Sequence, residues 1–573
     1  MIIIPLLFFA LFYLYPLFAI FSLSNASEIA AALIDLDTWR ITAFTFWQAL
    51  LSTIATLIVG LPAAYLVGRY HFRGRDLLRA LTAIPFVMPT LVVGAGFSAL
   101  IGERGWINIA LESLNLPTIK IVNTLAAIIL AHVFYNTTIV IRTVGDYWSH
   151  LDPRLTQVAR TLGANPIRIF TTITLPLLMP SILAASLLVF IFDFTSFGVI
   201  LILGGAGFAT LEVEVYRQTF AFFDLPRAAA LSLVQLLCTF ALVAIYSRVS
   251  SRMTRVLNVR SSEFTQKPLR TFSQKLFAFI ITVSLFVFLL SPLISLAARS
   301  VMRLEADRGQ RGEVRYGFTF DYYTALFENE RGQAFFVTPI ESIRNSLLYA
   351  GATMVMAISL GLMSLRGAPF ATKQSQALTE IASQRTLAMT AWSRIVSSVR
   401  FVLLGMTNLE AILMLPLGTS AVTLGLGFLI AFRTFITSPI LIPLAHTVIA
   451  LPFVVRTLLP TYRAIRPQWR NAAMTLGASP FEVWRRIDLP LIGRAVIVAG
   501  AFAFALSLGE FGATTLLSRP EFPTVPIAIY NFIGQPGGLN YGRAMALSTI
   551  LMTVTGAGIL LIERLRVRGV GEF

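Results

Sequence analysis

Runs of about 20 apolar residues recur along this chain, and they restrict its fold more than any other feature. A helix of that length crosses the hydrocarbon core of a bilayer and satisfies its backbone hydrogen bonds internally. Hydrophobic residues make up 56% of the 573 positions, charged residues only 13%, and the mean hydropathy is +0.77. Soluble proteins seldom have such a composition. The sequence therefore predicts an all-α, polytopic membrane protein.

We predict about twelve membrane spans, six in each half of the chain. The first run, from Ile2 to Leu23, has no basic segment before it and is long for a signal peptide, so we expect a retained span. The predicted spans lie near residues 2–23, 45–68, 81–101, 123–145, 178–204, 226–248, 275–297, 343–364, 401–432, 437–460, 491–517 and 542–563.

A short polar segment occurs twice among these runs, without a gap and at an offset of 314 residues. Residues 152–176 are here called the first elbow loop and residues 466–490 the second elbow loop. In each, a proline begins a short helix, and Gly163 or Gly477 is placed to end it in a left-handed conformation. An N-cap residue and a proline follow each glycine, as Asn165-Pro166 and Ser479-Pro480. Both loops are therefore predicted to be a helix, a sharp turn and a second helix.

The duplication extends well beyond the elbow loops. At the same offset, Leu130-Ala131-His132 matches Leu444-Ala445-His446. Farther upstream, at an offset of 331 residues, a Gly-x-Gly-Phe sequence at 94–97 matches 425–428. The sequence thus predicts two homologous halves and a linker between them, at residues 1–250, 275–573 and 251–274, respectively. Halves repeated in parallel are related by an axis along the membrane normal, with a substrate path between them.

Alternate loops differ in charge. The loops at 69–79, 152–176, 248–275, 365–400, 461–494 and 564–568 hold 28 basic and 6 acidic residues, whereas those at 24–40, 102–122, 205–225, 298–342 and 518–541 hold 11 basic and 16 acidic. Basic residues are concentrated in cytoplasmic loops of membrane proteins. The elbow loops, the linker and both termini are therefore predicted to be cytoplasmic. The net charge of +17 then reflects topology, and no nucleic-acid partner is expected.

Both elbow loops resemble the EAA loop of type I ABC importer permeases. In that family Glu-Ala-Ala, three residues, Gly and a distal Leu-Pro form the coupling helix that docks into an ATPase subunit. Gln157 and Asn471 stand where the family has Glu, and Val158 replaces the first Ala of the first copy. The resemblance implies a coupling role for Gln157, Ala159, Gly163, Pro176, Asn471, Ala472, Ala473, Gly477 and Pro490. The alternative is that both loops are ordinary amphipathic linkers between membrane helices.

Further motifs are similar to fused permeases of the thiamine type, among them Phe46-Trp47-Gln48-Ala49 and the segments 507–512 and 522–526. Ferric-iron permeases share the fused architecture, and molybdate or sulfate permeases share a Gly-Glu-Phe-Gly-Ala stretch. The resemblance implies the permease subunit of an importer in the bacterial inner membrane, with thiamine or ferric iron as substrate and an oxyanion as the alternative. The implied partners are two copies of an ATPase subunit, an external binding protein and the lipid bilayer, with no cofactor.

Ionisable side chains inside membrane spans are costly and therefore informative. Asp193 and Glu510 lie in equivalent predicted spans, but Glu510 aligns with Ser196 rather than with Asp193. Carboxylates facing the path would favour a cationic substrate, so Asp193, Ser196 and Glu510 are candidate path residues. The alternative is that each carboxylate bonds to a neighbouring helix, or to Arg142 or Arg456. The repeated histidines His132 and His446 are expected to hydrogen-bond within the helices rather than to bind a ligand.

Other function classes have less support in the sequence. The chain contains no G-x-x-x-x-G-K-[ST] phosphate loop, so it is not expected to be an enzyme that hydrolyses ATP itself. A secondary transporter driven by an ion gradient could use Asp193 or Glu510 as a proton site. The repeated cytoplasmic elbow favours the importer permease over that alternative.

Overall fold

Helices account for nearly all the regular structure of this chain. The computed structural model describes residues 3–23, 27, 31, 34–205, 207–253, 266–303, 317–328, 337–365 and 412–565. Within these residues, ten helices are long and apolar enough to cross a membrane, and one sharply bent pair of helices gives an eleventh candidate. The all-α, polytopic fold that the sequence predicts is confirmed.

The described residues up to 253 form eleven helices. They are α1 (Ile3–Leu23), α2 (Leu36–Arg69), α3 (Arg75–Val87), α4 (Thr90–Ile101), α5 (Trp106–Ser113), α6 (Leu125–Ser149), α7 (Pro153–Thr161), α8 (Pro166–Phe194), α9 (Gly198–Leu203), α10 (Leu211–Phe220) and α11 (Leu225–Met253).

The described residues from 266 onward form ten further helices. They are α12 (Phe272–Ser300), α13 (Asp321–Thr324), α14 (Pro339–Leu365), α15 (Ala421–Ala431), α16 (Leu441–Arg463), α17 (Pro467–Thr475), α18 (Pro480–Gly509), α19 (Gly512–Leu517), α20 (Val525–Gly534) and α21 (Gly538–Leu565). Three single-turn 3-10 helices also occur, at Ala325–Phe327, Leu415–Gly418 and Arg433–Phe435. Of two short strand pairs, β1 (Tyr70–His71) is parallel to β2 (Lys267–Pro268), and β3 (Met302–Arg303) is antiparallel to β4 (Gly317–Phe318).

Parts of the prediction lie outside the described residues. The predicted span at 401–432 is described only from residue 412, where it contains the 11-residue helix α15. The linker at 251–274 and the external segment at 298–342 are also described only in part.

The predicted span at 81–101 is not a straight helix. The chain bends by 105° between α3 and α4, at Met88 and Pro89. Met88 has an extended backbone, with a ψ of 138°, because a residue that precedes proline disfavours the helical conformation. The bend was not anticipated, since the apolar run continues through it.

The predicted spans at 178–204 and 491–517 are also wrong at their distal ends. Helix α8 ends at Phe194, and the chain resumes helical structure at Gly198 after a short break. Helix α18 ends at Gly509, and Glu510 and Phe511 separate it from α19. At each break, backbone polar groups lie beside a residue with a carboxylate, Asp193 or Glu510, inside an apolar segment.

The described chain divides into two compact units whose membership does not follow the sequence halves. One unit comprises residues 1–22, 344–518 and 558–572, and the other comprises residues 23–343 and 519–557. The predicted homologous halves, 1–250 and 275–573, are defined by sequence similarity, whereas the two units are defined by contacts. The division into halves stays a prediction.

In the first of these units, α1 packs against α15 through a glycine. A Cβ atom on Gly427 would lie 2.8 Å from the carbonyl oxygen of Pro16, so only glycine permits this approach of the two helices. The hydroxyl groups of Tyr13 and Thr419 lie 2.7 Å apart and form a hydrogen bond at the same contact. Helix α1 therefore packs against a helix more than 400 positions away in sequence.

The other unit repeats this contact with the equivalent glycine. A Cβ atom on Gly96 of α4 would lie 2.9 Å from the carbonyl oxygen of Pro292 in α12. The indole Nε1 of Trp106 donates a hydrogen bond of 3.3 Å to the carbonyl of Ser295. Each unit thus combines the first helix of one predicted half with the Gly-x-Gly helix of the other.

Candidate functional site

Both elbow loops fold as the sequence predicts. In the first, α7 ends at Thr161, Leu162 is its C-cap residue, and Gly163 adopts a φ of +80°. The backbone N–H of Gly163 donates to the carbonyl of Arg160, and that of Ala164 to the carbonyl of Ala159, both at 3.0 Å. These two bonds form a Schellman motif, which satisfies the free carbonyls at a helix end.

The second elbow loop has the same geometry. Gly477 adopts a φ of +89°, and its N–H donates to the carbonyl of Met474 at 3.0 Å. The N–H of Ala478 donates to the carbonyl of Ala473 at 3.0 Å. The two turns therefore have the same hydrogen-bond pattern, although most of their side chains differ.

The helix after each turn starts with a side-chain cap. Asn165 Oδ1 accepts the N–H of Arg168 at 2.8 Å. In the second loop, Ser479 Oγ accepts the N–H of Glu482 at 3.3 Å, and Glu482 Oε2 accepts the N–H of Ser479 at 2.9 Å. These reciprocal bonds form a capping box, which satisfies two of the free N–H groups at the start of the helix. The direction in which each chain leaves the turn is therefore determined by a local cap.

The Leu-Pro pairs lie within the helices that follow the elbows. Pro176 and Pro490 lie inside the continuous helices α8 and α18. A five-residue π-helical segment precedes each pair, at Phe170–Thr174 and Trp484–Asp488. Because proline has no N–H and its ring crowds the carbonyl four residues earlier, the wider π turn accommodates it without ending the helix. Each elbow is therefore joined directly to a membrane-spanning helix.

The two turns present exposed apolar side chains. Leu162 and Leu476, at the ends of α7 and α17, are 81% and 88% exposed. Ile167 and Phe481 follow on the next helices at 76% and 57%. Apolar side chains clustered on a polar loop are typical of a surface that contacts another protein.

The predicted coupling residues surround these turns. Three of them are exposed, namely Gln157, Asn471 and Ala472. Ala473 is half-buried, and Ala159 is on the buried face of α7. The two positions that carry Glu in the family therefore present neutral amide groups to solvent.

An ion pair that the sequence analysis missed connects the two helices of the second elbow loop. Arg470 Nε donates to Asp488 Oδ1 at 2.7 Å, and the Arg470 guanidinium lies 4.4 Å from the centre of the Tyr462 ring. The Asp488 side chain is 5% exposed. Thr156 and Thr174 occupy the equivalent positions of the first loop, which therefore lacks this pair.

The first histidine cluster joins α2, α6 and the end of α8. It comprises Ser52, His132, Asn136, Asp193 and Ser196. His132 Nδ1 lies 2.9 Å from Ser52 Oγ and 3.4 Å from Asp193 Oδ1, while its Nε2 lies 2.9 Å from Ser196 Oγ. Asn136 Nδ2 donates to Asp193 Oδ1 at 2.7 Å. Asp193 is 1% exposed, and its Oδ2 is buried without a hydrogen-bond partner in the described part of the chain.

The second histidine cluster joins α14, α16 and the break after α18. It comprises Thr353, His446, Ser507, Glu510 and Thr514. His446 Nδ1 lies 2.7 Å from Ser507 Oγ, and its Nε2 lies 2.8 Å from Thr514 Oγ1 and 3.1 Å from Glu510 Oε2. Ser507 Oγ donates to Thr353 Oγ1 at 3.3 Å, and Thr514 Oγ1 donates to Glu510 Oε2 at 2.7 Å. The N–H groups at 513 and 514 also donate to the Glu510 carboxylate, at 2.9 and 3.0 Å.

Both clusters place a serine and a carboxylate from the end of one helix beside a histidine, but the two residues have exchanged positions in the sequence. In the first, the carboxylate of Asp193 lies at Nδ1 and Ser196 lies at Nε2. In the second, Ser507 lies at Nδ1 and Glu510 lies at Nε2. Each histidine therefore has a hydroxyl group at both ring nitrogens, and the carboxylate lies beside one of them.

These clusters resolve the open question about the carboxylates' neighbours. Glu510 lies 3.1 Å from His446, whereas Asp193 accepts from Asn136 and lies 3.4 Å from His132. His132 and His446 hydrogen-bond to hydroxyl groups on neighbouring helices. The repeat drew attention to the histidines, but the exchange was missed because Asp193 and Glu510 do not align. Each cluster ties a pair of helices together at the end opposite to the elbow loop that joins them.

Comparison with known proteins supports this architecture. A family described as "Binding-protein-dependent transport system inner membrane component" matches residues 57–255, which include the first elbow loop. The thiamine transport system permease protein of Brucella suis is 27% identical over 549 residues, with 93% of this chain and 89% of that protein aligned. Its Escherichia coli counterpart is 26% identical, with 91% and 89% aligned. Because each alignment covers more than nine-tenths of this chain, it includes both elbow loops. The chain is a homologue of fused ABC importer permeases.

A solved bacterial ABC transporter that imports alginate is also similar, with 15% identity, 44% of this chain and 93% of its own covered, and a TM-score of 0.38. The permease relatives are transporter subunits rather than enzymes, and the membrane location in the family description agrees with the multiple spans of this permease. The coupling and path roles of individual side chains stay predictions.

Proposed function

We propose that this permease forms the translocation path of a thiamine importer in the bacterial inner membrane. An external binding protein delivers the substrate, and ATPase subunits on the cytoplasmic side drive transport. The observation that carries the proposal is the similarity to thiamine permeases over more than nine-tenths of the chain.

The two elbow loops are the docking sites for the ATPase in this proposal. Their turns have equal backbone geometry, and each has an exposed leucine at its tip, Leu162 or Leu476. Two equivalent loops fit two copies of one ATPase subunit. Because each loop runs directly into a membrane helix, a displacement of the loop is transmitted along α8 or α18.

The carboxylates Asp193 and Glu510 contribute to the path, in this proposal, only after a change of conformation. Asp193 is 1% exposed and Glu510 is 8% exposed, so neither meets solvent in this conformation. Both lie at a break in a helix, where a small rotation exchanges hydrogen-bond partners more easily than within a regular helix. We propose that Asp193, Ser196 and Glu510 face a cationic substrate only when the elbow loops move.

Uptake into proteoliposomes tests the proposed substrate. The permease is reconstituted with its ATPase and binding protein, ATP is enclosed, and labelled thiamine is added outside. We expect ATP-dependent accumulation that requires the binding protein. Uptake of ferric iron or of an oxyanion in place of thiamine would reassign the substrate. Accumulation driven by a proton gradient without the ATPase would favour the secondary transporter.

Cysteine labelling tests the proposed orientation. In a Cys238→Ser background, Ser273→Cys should be shielded from an impermeant thiol reagent in intact cells, because it begins α12 on the side of the basic loops. Glu328→Cys, on the opposite side of α12 and exposed, should react. The reverse pattern would place the elbow loops and both termini outside the cytoplasm and remove the docking proposal.

A further inference from the structure

A cavity of about 550 Å³ lies between the first elbow loop and the helices around it. Its walls come from the end of α2, the end of α6, the start of α8 and the start of α12. Most of its surface is apolar, with Leu61, Trp148 and Phe277 among the lining side chains. Since four membrane helices end or begin here, the cavity lies near the boundary between hydrocarbon and water.

Basic side chains border one side of this cavity. Arg69, the last residue of α2, and Arg160, on α7, both line it. Lys267 belongs to the strand that pairs with Tyr70–His71, directly after Arg69. Burial, followed by the charges of Arg69, Arg160 and Arg270, lowers the pKa of Lys267. The lysine is thus held in a region of positive potential.

No described acid neutralises these cations. Arg69, Arg160 and Lys267 form no ion pair with any residue that the structure describes. Asp152 also lines the cavity, but its Oδ1 accepts the N–H of Arg154 at the start of α7. The region therefore carries an excess of positive charge beside an apolar space.

The second elbow loop differs from the first at three positions that line this cavity. Met474 stands at the position of Arg160. The Arg470–Asp488 ion pair occupies the positions of Thr156 and Thr174, both of which line the cavity of the first loop. The combination of cavity and cations is therefore not a requirement of the elbow itself.

We propose that this cavity binds an anionic phospholipid. The phosphate lies between Arg69, Arg160 and Lys267, and an acyl chain lies against Leu61, Trp148 and Phe277. An amphiphile fits because charge and apolar surface meet here at the level of the lipid headgroups. A bound lipid supplies the counter-charge, and it connects the first elbow loop to the bilayer.

Fluorescence quenching tests the proposal on the full-length permease. Brominated phosphatidylglycerol quenches a tryptophan within contact distance, and the contribution of Trp148 is obtained by comparison with Trp148→Phe. We expect saturable quenching of Trp148 by this lipid and weaker quenching by brominated phosphatidylcholine. Arg69→Gln combined with Arg160→Met should reduce the affinity for phosphatidylglycerol by roughly 10- to 30-fold.

A second variant fills the cavity without removing the two arginines. Thr156→Arg with Thr174→Asp copies the ion pair of the second loop and should also abolish the quenching. Equal quenching by both lipids would overturn the proposal, as would unchanged affinity in the arginine variant. Inorganic phosphate alone should not displace the lipid; if it does, the site binds a free anion. Loss of the lipid when the ATPase is added would show that the cations serve that partner instead.

Discussion

Gly163→Val and Gly477→Val will each abolish substrate-stimulated ATP hydrolysis by the assembled importer, while the permease still inserts into the membrane. Both glycines have a φ between +80° and +89°, and a Cβ atom at either position would have no neighbour within 4 Å. The cost therefore arises from the backbone alone, about 1–2 kcal/mol for an L-residue and more for a β-branched one. The chain relieves this strain by leaving the left-handed region, which breaks the Schellman bonds and reorients α7 or α17.

Two control variants isolate this effect. Gly477→Asn should retain most of the stimulation, because asparagine tolerates the left-handed conformation. Gly493→Val lies in α18, also has open space around its Cβ position, and needs no positive φ, so it should be active. ATP hydrolysis is measured with and without loaded binding protein. Normal stimulation in both elbow variants would rule out the elbows as the coupling elements.

The second large effect concerns the second histidine cluster. Glu510→Ala should strongly destabilise the folded permease, because it leaves His446 and Thr514 buried without their carboxylate partner. The side chains of His446 and Glu510 are only 2% and 6% exposed. Breaking one side of a buried pair costs about 3–5 kcal/mol. Thermal unfolding in detergent, followed by size-exclusion chromatography, should show a large loss of the monodisperse species. Unchanged stability would show that the cluster does not hold α14, α16 and α18 together.

An exchange variant separates stability from transport. Ser507→Asp with Glu510→Ser and Ala450→Asn gives the second cluster the Asp, Ser and Asn of the first at aligned positions, since Ala450 aligns with Asn136, and leaves Thr353 and Thr514 unchanged. If the cluster only ties helices together, both stability and thiamine uptake should return. If the fold returns without uptake, a carboxylate is required at position 510 itself, and the proposed steering of a cation is supported. A return of neither would mean that the two sites are not interchangeable.

The features that sequence reasoning predicted well are determined by near neighbours. The glycines, prolines and N-cap residues of the elbows act within a few positions, so their pattern alone predicts the turns and the caps. The length of the apolar runs, which is also a local property of the sequence, predicted the membrane-spanning helices. The fused permease architecture followed from the repeat together with the family motifs.

The features that were missed depend on distant contacts or on weak local preferences. The breaks before Gly198 and Gly512 lie in apolar segments whose composition continues to favour a helix. The Arg470–Asp488 pair depends on α17 and the start of α18 folding back on each other, 18 positions apart. The exchange of positions between Asp193 and Glu510 could be recognised only once the surroundings of His132 and His446 were known. A search for compensating substitutions between the two repeats, rather than for identical residues, could have found them.

The packing of α1 against α15 has a consequence for how the protein is made. Tyr13 and Thr419, which bond in the folded protein, are 406 positions apart. At a synthesis rate of about 5–20 residues per second, α1 spends roughly 20–80 seconds in the membrane before its partner helix leaves the ribosome. The corresponding contact of Trp106 with Ser295 spans 189 positions and completes in about half that time. During this interval the translocon or a membrane chaperone can bind the side of α1 that carries Tyr13, and a chain that terminates early leaves that side uncovered.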